Sequence, residues 1–145
     1  MKKISKLIFT FLAIFLLFSC SENYVKFSEE DFSKEYLNGF WHLTSKITKF
    51  SEETVQEDTI IINTKNNSIK TKNDSKTVPL NKFFTDSETF LIGINSLAEI
   101  LGGTYSGDDS FMISENHKKI KREFKISNPK KNEDFIKFLI LLEKQ

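Results

Sequence analysis

The side chains that could do chemistry and are singled out by type or spacing are few: one thiol, two imidazoles, one Asp-Asp pair and one indole. Cys20 is the only cysteine in a chain of 145 residues, so no internal disulfide can form. Zinc asks for three or four N, S or O ligands at closed spacing. His42 and His117 stand far apart, with no thiol near either. Neither histidine lies in a nucleophile pattern, where a base must sit within hydrogen-bond reach of a serine or cysteine, so both are read as ordinary strand or surface histidines. Asp108-Asp109 offers two carboxylates without the alternating spacing of a calcium loop, and is read as a solvated hairpin turn. Gly102-Gly103, followed by Thr104-Tyr105, has neither the spacing nor the lysine of a phosphate loop. Trp41 is expected to fill a core, its alternative being the wall of a ligand cavity. No catalytic group, metal site or cofactor is expected.

The first twenty residues carry a different kind of information. Lys2, Lys3 and Lys6 precede an almost wholly apolar run from Leu7 to Phe18, and Ser19 and Cys20 close it. A charged start, a short apolar stretch and a small residue at the break form a secretory signal. The run is well short of the roughly 20 residues that span a bilayer, and polar Ser21-Glu22-Asn23 follows it. Leu17, Ser19 and Cys20 resemble the lipobox of bacterial lipoproteins, although Phe18 is bulkier than usual there. The resemblance implies that Cys20 becomes the first mature residue and carries the lipid, which anchors the protein to the membrane of the cell envelope. Ser21, where an aspartate often retains such proteins at the inner membrane, implies the outer membrane by analogy. The expected organisation is a signal peptide over 1–19, a lipidated tether over 20–27 and one domain over 28–145.

Taking Lys2, Lys3 and Lys6 from the 21 basic residues leaves 18 against 20 acidic ones, a net charge of −2. That gives no basic excess to hold nucleic acid. The run Lys118-Lys119 and Lys121-Arg122 is read as the solvated side of a strand, with contact to anionic lipid heads as its alternative.

Patterning within the domain is mostly that of strands. Ser28 is a good N-cap, acids fill the following turn, Phe27 and Phe32 fit a hydrophobic staple, and Asn38-Gly39 ends the segment, so a helix is expected near 29–37. Trp41, Leu43, Ser45 and Ile47 then alternate with polar residues, as a half-buried strand does. Residues 48–58 are polar and acidic and are expected to be a loop or a frayed edge. Thr59 to Asn63 is a strand, Asn66-Asn67 a turn, Ser68 to Thr71 a short return and Asn73-Asp74-Ser75 another turn. Val78-Pro79-Leu80 fits only an edge. Phe90, Ile92 and Ile94 alternate as a strand, and Ser96 to Leu101 forms a turn or two of helix stopped by Gly102-Gly103. Thr104-Tyr105 and Phe111 to Ile113 are expected to pair as a hairpin through Gly107-Asp108-Asp109. Ile120, Arg122, Phe124 and Ile126 alternate as a further strand. Phe135 to Leu142 is nearly unbroken apolar sequence. Asn132-Glu133-Asp134 and Pro129 favour a helix there, although a strand also fits.

From Gly39-Phe40-Trp41, Gly93-Ile94-Asn95, Gly103-Thr104-Tyr105, Lys121-Arg122 and the Asn128-Pro129 approach to the last segment, the domain resembles the META/HslJ-like domains of small bacterial lipoproteins. The two cysteines common in that family are absent, Ser96 to Leu101 is an insert, and no strand follows the closing helix. The resemblance implies a non-enzymatic binding or stress-related envelope module. A lipocalin-like barrel, which shares the glycine-x-tryptophan strand and ends in a strand, implies instead a carrier of a small apolar ligand. The expected fold is α+β and mainly β: a small curved antiparallel sheet or partial barrel with a helix at each end.

Overall fold

The computed structural model describes residues 22–73, 77–85, 95–108, 110–131 and 133–145. Among these, nine strands form one open antiparallel sheet: β1 (Tyr24–Lys26), β2 (Gly39–Lys49), β3 (Glu52–Asn63), β4 (Ser68–Thr71), β5 (Thr77–Pro79), β6 (Thr104–Gly107), β7 (Met112–Ser114), β8 (Lys119–Asn128) and β9 (Glu133–Lys144). Their spatial order is β1-β7-β8-β9-β2-β3-β4-β5, with β6 also on β8. Two meanders, β2 to β5 and β7 to β9, are joined where the first and last long strands pair. Trp41 lies opposite Lys144, and Lys49 opposite Ile136.

The last segment is therefore a strand, not the expected helix. β9 lies between β8 and β2, paired on both edges. From Phe135 to Leu141 all its residues but Lys137 are half-buried, on both faces alike, and a strand covered on both faces reads as a nearly continuous apolar run instead of an alternation. A helix would satisfy its own backbone but leave β2 and β8 each with a long unpaired edge.

The N-terminal helix expected near 29–37 is replaced by two 3-10 segments, Glu29–Ser33 and Glu35–Leu37. Its start is as expected. The Asp31 carboxylate accepts the Ser28 N–H at 2.7 Å, and the Phe27 and Phe32 rings meet tilted, with centroids 5.4 Å apart. An α-helix does not propagate because Lys34 takes an extended backbone, φ −75° and ψ 135°. The break turns Leu37 fully into the core, where its carbonyl accepts the Trp41 indole N–H at 2.8 Å.

Residues 48–58 also differ from expectation. β2 and β3 run through them and turn at Phe50-Ser51, with φ of 45° and 76°. Two positive φ values give a two-residue turn whose twist suits the flanking strands. β6 and β7 do not pair with each other as a hairpin; both lie along the same edge of β8. The backbone passes so close to β8 at Gly107, φ 152°, that a Cβ there would stand 2.4 Å from the Glu123 carbonyl oxygen. Asp109 lies outside the described residues, as do Gly93 and Ile94, the strand expected over Phe90 to Ile94, and most of the turn at 73–75. The helix before Gly102 is present over 95–101. It ends with Gly102 at φ 63°, and Gly102 and Gly103 donate to the Glu99 and Ala98 carbonyls at 3.0 and 2.8 Å, the Schellman pattern.

The sheet curls until its two ends share a core. The helix α1 (Leu80–Thr85) follows edge strand β5 and carries Phe83 and Phe84. Phe84 lies 4.7 Å from Phe27 and 4.9 Å from Phe111, residues beside β1 and β7 at the other end of the strand order. Leu37, Trp41, Ile60, Ile120 and Leu142 continue this core across the middle of the sheet.

Candidate functional site

Cys20 and Ser21 lie outside the described residues, and the chain from Glu22 on has defined partners. The expected tether over 20–27 contains β1, whose Tyr24 pairs with Ser114. The Asn23 carbonyl accepts the Glu115 N–H at 3.1 Å, and Glu22 pairs with Lys119 at 3.0 Å. The hydrogen bond from Lys119 holds the Glu22 carboxyl below its usual range and raises the Lys119 ammonium above its own. The segment that follows Cys20 is thus seated beside the β7–β8 turn.

That turn is also where His117 stands, at φ 57°, stacked on the Tyr36 ring with centroids 4.2 Å apart. The Tyr36 hydroxyl donates to Asp31, and the Lys144 ammonium donates to the Tyr36 carbonyl. Burial, then the bond to Asp31, pushes the Tyr36 hydroxyl well above the ordinary phenol range. Burial opposes the charge on Asp31, yet the bonds from Tyr36 and Ser28 together hold its carboxyl below the usual value. These contacts tie the 3-10 segments to the end of the sheet.

His42 is on β2, with Nε2 3.7 Å from Glu57 Oε1 on β3. The two histidines have separate partners on separate elements. Among the described residues no three His, Cys, Asp or Glu side chains are placed to hold a metal ion. Asp108 donates its N–H to the Glu123 carbonyl at 2.8 Å, which serves the edge of the sheet. Trp41 is fully buried, with the Lys144 ammonium 5.7 Å from its ring centroid. The basic run divides: Lys119 pairs with Glu22 and Glu143, Lys121 sits 4.5 Å over the Tyr24 ring, and Arg122 turns inward, 5% exposed, 5.7 Å from the Phe111 ring centroid.

Three surface features were not read from the sequence. An apolar cleft of about 170 Å³ lies among Leu43, Ile60, Ile69, Val78 and Phe83; Trp41 is not on its wall. A larger groove of about 660 Å³ runs between the Phe50-Ser51 turn and the β8–β9 loop, with Lys131, Lys137, Glu133 and Asp134 along it. Hydrogen bonds from Ser127 at 2.6 Å and Lys137 at 3.0 Å lower the Asp134 carboxyl. The third is the edge of β3 beyond β4. β4 pairs only with Ile60 to Asn63, so Glu52 to Asp58 has a strand on one side alone among the described residues. Its signal was present as an acidic run, but a strand wet on both faces shows no hydrophobic alternation.

Among the described residues no helix is long and apolar enough to cross a membrane. Comparison with known protein families, with characterised proteins and with solved structures finds no match for this chain.

Proposed function

We propose that the protein is a lipid-anchored lipoprotein of the bacterial cell envelope whose sheet domain binds a partner and catalyses no reaction. The observation that carries this reading is Leu17-Phe18-Ser19-Cys20 closing a lysine-flanked apolar run too short to span a bilayer. The position of β1 supports it. The first strand begins at Tyr24, and a chain extends at most about 3.6 Å per residue, so a lipid on Cys20 holds the domain against the membrane surface. The outer membrane is the proposed address, on the analogy of Ser21. Kinship with META/HslJ-like domains belongs to the same proposal, with β9 standing where that family's closing helix was expected.

Intact mass spectrometry of the protein purified from membranes tests the anchor. The account expects cleavage before Cys20 and a diacyl or triacyl mass on it, both lost in Cys20→Ala. An unmodified Cys20 in the membrane fraction contradicts it.

A second reading, the lipocalin-like carrier, is favoured by the C-terminal strand and by the apolar cleft beside Phe83. The cleft is smaller than the roughly 300 Å³ at which small-molecule pockets begin. Titration with apolar ligands, read by Trp41 emission, tests it. A saturable shift supports a carrier, and a flat response across lipids and haem-like compounds removes it.

A further inference from the structure

We infer that the edge of β3 centred on Val55, which has no strand beside it among the described residues, is a docking site for an extended basic peptide that adds to the sheet as one more strand. The inference rests on the binding-module reading above, but not on the lipid.

The edge is defined by the backbone. The Thr59 carbonyl accepts the Lys72 N–H at 2.7 Å, so Thr59 points toward β4. Along an antiparallel strand, alternate residues direct both backbone groups to the same side. Glu53, Val55 and Glu57 therefore point their N–H and C=O groups away from β2, into the space past the end of β4. All three are exposed. Asp58 Oδ1 accepts the Thr59 N–H at 2.6 Å and marks where the open edge ends.

The other free edges are protected in ways this one is not. β1 and β5 are three residues long, and β5 ends at Pro79. β6 has four residues and ends at Gly107, φ 152°. Short strands, proline and distorted backbone all discourage pairing. The β3 edge is longer and regular, and β2 and β9 back it in register from Lys49 to Trp41. Among the described residues its protection is charge, and charge is selective. Glu52, Glu53, Glu57 and Asp58 outnumber the neighbouring Lys46 and Lys49. Lys46 meets Glu53 at 2.7 Å and His42 meets Glu57 at 3.7 Å, which leaves the stretch acidic overall. A second copy of the same edge is repelled, whereas a strand bearing lysine or arginine is attracted. Val55, 50% exposed, offers an apolar contact at the centre.

The test uses the full-length protein in detergent micelles and a short synthetic peptide alternating Lys and Val. Its controls are a Glu-Val peptide and a Lys-Pro peptide, the last keeping the charge but lacking strand donors. The account expects the Lys-Val peptide alone to bind and to slow amide exchange at Glu53, Val55 and Glu57. Val55→Pro removes an N–H that faces away from β2, a position where proline is tolerated, and weakens binding about tenfold or more, the loss of one or two backbone hydrogen bonds. The double variant Glu53→Lys and Glu57→Lys transfers preference to the Glu-Val peptide and gives a second reading should Val55→Pro fail to fold, which Trp41 emission monitors. Equal binding of the Lys-Pro peptide, unchanged affinity in a folded Val55→Pro, or no binding of the Lys-Val peptide overturns the inference. The mass of Cys20 is a separate measurement, so a lipid found there with no peptide bound refutes the docking site alone.

Discussion

Where the starts of β2 and β8 flank the end of β9, Trp41, Ile120 and Leu142 have no exposed surface, and among the described residues the neighbouring edges are paired or very short. Beyond Leu43 and Asp58 the same two strands, β2 and β3, run on with Glu52 to Glu57 exposed, Phe50 63% exposed at their turn, and one edge unpaired. One hairpin thus passes from a packed half, held by apolar burial, to a wet half, held by its ladder with β2 and β9. Backbone hydrogen bonds are each worth only about 1 kcal/mol net, whereas burying one large apolar side chain contributes about 2–3 kcal/mol. Stability is therefore expected to concentrate at the end that holds Trp41, Ile120 and Leu142, leaving the far end free to change partners.

Substitutions that break this contrast are ranked by where they fall. Trp41→Ala empties the core and orphans the Leu37 carbonyl, and is expected to cost about 4–5 kcal/mol in urea unfolding. Gly107→Ala forces a Cβ against the β8 backbone at a φ that L-residues avoid, for about 2–3 kcal/mol by the same measurement. Asp31→Asn costs at most about 1 kcal/mol at pH 7, since water screens a part-exposed carboxylate. Its signature is in the pH profile. The Asp31 carboxyl is lowered in the folded state, so its stabilisation is present above the ordinary aspartate value near pH 4 and is lost as pH falls through the lower folded value. The variant should lack that part of the acid limb. At the wet end, Phe50→Asn places a residue tolerant of positive φ at the turn and is expected to raise stability by roughly 0.5–1 kcal/mol. A large loss there would mean that Phe50 packs on Phe135, 5.8 Å away, more strongly than this contrast allows.

The same contrast explains what the sequence disclosed. Where a strand has one buried face, as with Trp41, Leu43 and Ile47 or with Ile120, Phe124 and Ile126, alternation made it legible. Where both faces are alike it did not. β9, in the middle of the sheet, is nearly unbroken apolar sequence from Phe135 to Leu142 and mimicked a buried helix behind the cap-like Asn132-Glu133-Asp134. The wet part of β3 is polar except for Val55 and mimicked a loop. Local chemistry placed the start at Ser28 and the Gly102-Gly103 stop, but the break at Lys34 depends on Leu37 and Trp41 meeting, which no local pattern encodes. β6 and β7 read as a hairpin because turn residues separate them, while their common partner β8 lies later in the chain. The proposed lipidation of Cys20 rests on a linear pattern, which sequence can carry; the β3 edge, unpaired among the described residues, leaves no such mark.

Residue-resolved amide exchange of the free protein tests the central contrast most directly. Thr54, Gln56 and Asp58, which face β2, should be protected, while Glu53, Val55 and Glu57 exchange close to the rate of an unstructured chain and the amides of Ile120 and Leu142 exchange slowest of all. Protection of Glu53, Val55 and Glu57 equal to that of Ile61, which pairs with Lys70 on β4, would contradict the account.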